Sequence, residues 1–139
     1  ATEAEAGLIP QAFLDAVASG EPTPGGGSVA ALAGALSAGL AAMDKALARA
    51  GLALADIDRI EFMESFAVTI AKFLRDRAPD PAKVNVSGGH LAKGHPMGAT
   101  GAILTSALLD ALDACQGRYG LVVTTGAMGV GVAMVVERV

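Results

Sequence analysis

Residues 84–102 read VNVSGGHLAKGHPMGATGA. Val84-Asn85-Val86 predicts a short strand, the glycines after it a loop, and Gly98 onward the start of a helix. The stretch holds both histidines of the chain, His90 and His95, and five of its 18 glycines: Gly88, Gly89, Gly94, Gly98 and Gly101. Glycine lets the backbone approach a ligand and adopt positive φ. A loop entering a helix points unpaired N–H groups outward, toward anions or developing negative charge. Imidazole moves protons near neutral pH. Strand, loop and helix start thus form a candidate reaction centre. The same pattern also serves α/β proteins as a plain turn, with the histidines capping or packing.

The flanking segments predict a layered α/β domain. On the N-terminal side, RIEF at 59–62 reads as a strand. ESFAVTIAKFLRDR at 64–77 reads as a helix with Phe66, Ile70, Phe73 and Leu74 on one face, closed by Pro79 and Pro81. On the C-terminal side, GATGAILTSALLDALDA at 98–114 is apolar on nearly every side of its first turns, which predicts burial all round. YGLVVTT at 119–125 and GVAMVVE at 131–137 are β-rich, and the glycines between them predict a hairpin.

The first third has a different texture. LIPQAFLDAVAS at 8–19 places Ile9, Phe13, Leu14 and Val17 at helical spacing, and the breaker EPTPGGGS follows. Ser28 is a candidate N-cap for the next helix. Residues 25–43, GGGSVAALAGALSAGLAAM, carry no charge for 19 positions, a length that can span a bilayer. Their Ala, Gly and Ser content makes the stretch weakly apolar and suited instead to close helix packing. This helix either runs on through DKALARAGL to a C-cap at Gly51 or breaks near Met43–Asp44, where charges return.

Composition narrows the function. A length of 139 residues suits one domain, and 53% hydrophobic residues with 4% aromatics predict an aliphatic, alanine-rich core. A net charge of −4 and a pI near 5.0 argue against a nucleic-acid surface. The single cysteine, Cys115, forms no internal disulfide, and zinc-type Cys/His spacing is absent. No secretory leader pattern marks the start, so a reducing cytoplasm is the expected setting.

Two resemblances emerge. KALARAGLALADIDRIEFMESFA, the glycine-histidine stretch and RYGLVVTTGAMGVGVAMVVERV occur together in residues 44–139. In order and spacing they resemble the C-terminal half of thiolases, the acyl-coenzyme A acyltransferase family. FLDAVASGEPTPGGGSVAALAGALSAGLAAM, within residues 8–43, resembles the opening of the cyclodeaminase/methenyltetrahydrofolate cyclohydrolase family. The expectation is a thiolase-half α/β layer over 44–139, preceded by a helical hairpin over 1–43, with a junction near Met43–Asp44 as in a chimaera.

The thiolase resemblance implies acyl transfer with a coenzyme A thioester as substrate and no tightly bound cofactor. It makes Gly94-His95-Pro96 the core of the site, with His95 the base that activates a cysteine. That cysteine belongs to an N-terminal half not present in this stretch. Thr125 falls where the family carries a second cysteine, and Met63 where it carries Asn or His before Glu64-Ser65-Phe66. A threonine hydroxyl is a poor acid or base near pH 7, and Met63 donates no hydrogen bond; Ser65 is the available polar substitute. Phe66, Gly94, Pro96 and Ala127 are the expected substrate contacts, with backbone N–H groups around Ala127 facing the oxyanion. The implied partner is the missing half or a second copy of the chain. The alternatives are a non-catalytic chimaera and a folate-binding remnant at Gly25-Gly26-Gly27-Ser28. The 98–114 helix lies mid-layer in the family, so the Ala-rich helix or a second copy is expected to cover it.

Overall fold

The computed structural model describes residues 26–126 and 129–139, with residues 26–33 and 35 described in backbone path only. The expected helix at 8–19, residues 21–25 of the breaker, the side chain of Ser28 and residue Ala127 lie outside the described set; the backbone of Gly26–Ser28 is already helical, so Ser28 is not the N-cap expected of it.

Helix α1 runs from Gly26 to Ala50 without a break at Met43–Asp44. It ends at Gly51, whose φ of 69° suits the glycine expected there. Strand β1 (Arg59–Phe62) and helix α2 (Ala67–Arg77) follow. Next come a four-residue helix α3 (His90–Lys93), helix α4 (Thr100–Cys115) and strands β2 (Tyr119–Gly126) and β3 (Val130–Glu137). The sheet order is β1-β2-β3, with β1 parallel to β2 and β2 antiparallel to β3.

Strand alternation sends side chains to two faces. Ile60, Phe62, Leu121 and Val123 face α1 and α2, where they bury Met43, Leu47 and Phe73. Phe62 and Phe73 stack with centroids 4.4 Å apart. Met63 and Val122 face the other way, onto Leu104, Leu108 and Leu112 of α4. The result is three layers.

Close approach explains the small residues of α1. A Cβ at Gly131 of β3 would collide with the backbone of Ala38, and one at Gly39 with the Thr125 side chain. At the supposed junction Met43 is buried in the core and Asp44 pairs with Arg77 of α2 at the surface, at 2.6 Å. No described helix is long and apolar enough to cross a membrane.

Three expectations need correction. The Ala-rich helix does not cover α4; it packs on the opposite face of the sheet. Burial of α4 is one-sided: Leu104, Leu108, Ala111 and Leu112 are buried, whereas Leu109 is 47% exposed. Phe66 does not join the apolar face of its helix; it is the extended residue before α2 and is 61% exposed.

Candidate active site

Ser65 and Thr125 meet at the carboxyl ends of the parallel strands, where open α/β sheets bind ligands, and His95 stands on the segment that follows Val84. Val84 joins the sheet through one parallel bridge to Ile60. The expected strand 84–86 goes no further because Asn85 turns into the left-handed region, at φ 46°. Asn is among the few non-glycine residues that tolerate this conformation.

Asn85 then replaces the lost strand with its side chain. Its Oδ1 accepts from Phe62 N at 2.8 Å, and its Nδ2 donates to Phe62 O at 3.0 Å. Nδ2 also donates to Glu64 Oε1 at 2.7 Å. The other oxygen, Oε2, accepts from Leu91 N at 2.9 Å. Glu64 is thus a buried, hydrogen-bonded carboxylate that holds the start of α3. A Cβ at Gly89 would run into this carboxylate, which accounts for one glycine of the loop.

Helix α3 carries His90 inward, with 4% of its surface exposed. Both ring nitrogens are buried without a hydrogen-bond partner. Burial, then the His95 ring, push the His90 imidazole below its ordinary range; Glu64 opposes them and Lys93 adds to them. The ring packs against His95 with centroids 5.3 Å apart and planes 67° apart.

Gly94 ends α3 at φ 90°, a conformation costly for other residues, and hands the chain to His95. His95 is half-buried, and its Nδ1 lies 2.9 Å from Thr100 Oγ1. That hydroxyl donates to Pro96 O at 3.1 Å. A threonine hydroxyl has one proton. With the proton on the Pro96 carbonyl, the Thr100 oxygen accepts from His95 Nδ1–H, and we assign His95 that tautomer. Its Nε2 then carries a lone pair and can take a proton from a reacting group. Pro96 itself is exposed.

A second pair sits at the strand ends. Ser65 Oγ and Thr125 Oγ1 are 3.3 Å apart, with Thr125 buried and Ser65 half-buried. Met63 is a core residue, 6% exposed, among Leu104, Leu108 and Val122. Glu61 is buried on the same face, and desolvation, partly offset by Lys93, pushes its carboxyl up to about 7. Cys115 lies at the far end of α4 from Thr100, with its thiol toward Leu112 O at 3.6 Å. It supplies no nucleophile to His95. Among the described residues no group of three or more His, Cys, Asp or Glu could hold a metal ion.

Sequence reading put His90 in the candidate stretch without giving it a role, and it passed over the contacts of Asn85 and Thr100. Asn85 looks like a strand residue because valines flank it. Thr100 stands five residues after His95, a separation that acquires meaning only once the loop folds back.

Comparison with known proteins agrees with the larger resemblance. The family described as thiolase, C-terminal domain, matches residues 26–138. The steroid 3-ketoacyl-CoA thiolase FadA6 of Mycobacterium tuberculosis is 39% identical over 132 residues, covering 95% of this chain and 30% of that protein. The acetyl-CoA acetyltransferase of Escherichia coli is 43% identical over 133 residues, covering 96% of this chain and 32% of that protein. The beta-ketothiolase BktB of Cupriavidus necator is 45% identical over 94 residues, 68% of this chain and 24% of that protein. The chain spans about a third or less of these relatives. The match starts ahead of Met43, so the cyclodeaminase resemblance and the chimaera gain no support.

Proposed function

The chain belongs to the thiolase family, as its C-terminal domain, and from this premise we propose that it supplies the base of an acyl-coenzyme A acyltransferase centre. The nucleophilic cysteine comes from the part of a thiolase this stretch does not span. His95 Nε2 takes the thiol proton, the thiolate adds to the thioester carbonyl to form an acyl-cysteine, and coenzyme A leaves as its thiol with the proton that His95 returns. Ser65 and Thr125 flank the reacting groups. Phe66, Gly94 and Pro96 contact the substrate, and Ala127 contributes an oxyanion N–H. The carrying observation is the His95–Thr100–Pro96 chain of contacts, which leaves Nε2 free for proton transfer. Exposed Val130, Val132 and Met134 on β3 and Leu109 on α4 favour the other half, or a second copy, as partner.

A second reading, a domain without catalysis, is favoured by Met63 and Thr125. One is locked in a hydrophobic cluster and the other bonds to Ser65. One experiment decides. Residues 26–138 replace the matching segment of the Escherichia coli acetyl-CoA acetyltransferase, and coenzyme A-dependent cleavage of acetoacetyl-coenzyme A is followed. Slow turnover that falls by about 10²- to 10⁴-fold in His95→Ala supports acyl transfer. A folded exchange protein without turnover, or one indifferent to His95→Ala, refutes it.

A further inference from the structure

The orphaned imidazole of His90 is the feature that the acyl-transfer reading leaves unexplained. A buried polar atom without a partner is a standing penalty, and native folds keep few of them. Helix α3 needs only a hydrophobe at its inward position; a leucine there would fill the space and leave nothing unpaired. The neighbouring leucine, Leu91, instead points out and is 58% exposed. The contact that His90 does make is specific: a flat ring set at 67° to His95, 5.3 Å from centroid to centroid.

We propose that His90 is a positioning residue for His95, the wall that holds the His95 ring in the plane joining Nδ1 to Thr100 and leaving Nε2 for the reacting thiol. The placement is built from behind. Asn85 fixes Glu64, Glu64 fixes the Leu91 N–H, and that bond sets the start of α3, which aims His90. His95 then has two contacts, its ring against His90 and its Nδ1 at Thr100. Without the first contact, rotation about its χ torsions takes Nδ1 away from Thr100 and nothing selects the tautomer. The charged or titratable groups facing His90 are His95, Glu64 and Lys93, and its own burial keeps it neutral while it serves as a wall.

The proposal rests on the reading of His95 as a base, yet its test needs no turnover. Ring ¹⁵N shifts of the isolated chain near pH 8 report which nitrogen of His95 carries the proton. The wild type is expected to show the Nδ1–H form. His90→Phe, which keeps a flat ring, retains that form; His90→Ala gives a mixture of tautomers. If His90→Ala does not fold, His90→Leu replaces it, filling the volume without a plane, with the same mixture expected. A single unchanged His95 tautomer in a folded Ala or Leu variant overturns the proposal. In the domain-exchange enzyme, His90→Ala is expected to lower kcat by about tenfold to a hundredfold with KM unchanged, and His90→Phe to restore it. An inactive exchange enzyme with the tautomer pattern intact would count against acyl transfer and leave the His90–His95 relationship standing.

Discussion

The side-chain amide of Asn85 satisfies both backbone groups of Phe62, accepting from its N–H at 2.8 Å and donating to its carbonyl at 3.0 Å. It does the work of one more strand residue, at a point where the chain has already turned away. Asn85→Ala leaves both groups of Phe62 unpaired in a buried setting and takes one partner from Glu64. The expected loss of stability is about 3 kcal/mol, read from urea denaturation. Asn85→Asp keeps the acceptor, loses the donor and sets a second negative charge beside Glu64. It should therefore be at least as damaging at pH 7.

Glu61 makes stability fall as pH rises. Its carboxyl titrates at about 7 in the folded chain, against an ordinary value of 4.5. Between those values the folded state holds a proton that the unfolded state has released. The contribution is complete below pH 4.5 and is lost as pH climbs through about 7. Glu61→Gln should flatten this slope and gain up to about 3 kcal/mol at pH 8. Equal slopes for the two proteins from pH 5 to 8 would contradict the assignment.

Thr125 stands at the position where the resemblance expects a thiol, in contact with Ser65. Thr125→Cys in the domain-exchange enzyme should raise turnover of acetoacetyl-coenzyme A by tenfold or more, since general acid–base groups commonly contribute about 10²- to 10⁴-fold. Met63→Asn is expected to behave differently. It puts an amide among Leu104, Leu108 and Val122, at a cost of about 2 kcal/mol in stability. Thermal denaturation beside the activity assay separates the two effects.

Asp58 ties the starts of β1 and β2 together. Its Oδ2 accepts from Arg118 N at 2.7 Å and Tyr119 N at 2.9 Å, and those two bonds hold its carboxyl below the usual range. A carboxylate held low stabilises above its unfolded value and loses that contribution as pH falls through the folded one. Asp58→Ala should cost about 2 kcal/mol at pH 7 and much less near pH 2, measured by urea denaturation at both.

Much of this architecture was legible. RIEF at 59–62 and the final hairpin announced themselves by apolar runs and turn glycines. Gly51 marked the end of α1 because helix ends favour a residue free to take positive φ. What stayed hidden depended on contacts between distant segments. Phe66 reads as apolar face but falls just before α2. The outer side of α4 reads as buried, yet Leu109 there is 47% exposed. The glycine-histidine-proline pattern singles out His95 as the candidate base. The contacts that Thr100 and His90 make with His95 are not legible there, because they arise only when the loop folds back on itself.

The mixed sheet has a kinetic corollary. Strands β2 and β3 are neighbours in sequence and can zip together locally, within microseconds by the scale of simple hairpins. Strand β1 must arrive from much further away: Ser65 and Thr125 are 60 residues apart in the chain. Closing so long a loop precedes any reward from parallel pairing, which makes it the slow event. The Ser65–Thr125 contact therefore depends on that long closure and not on the hairpin alone.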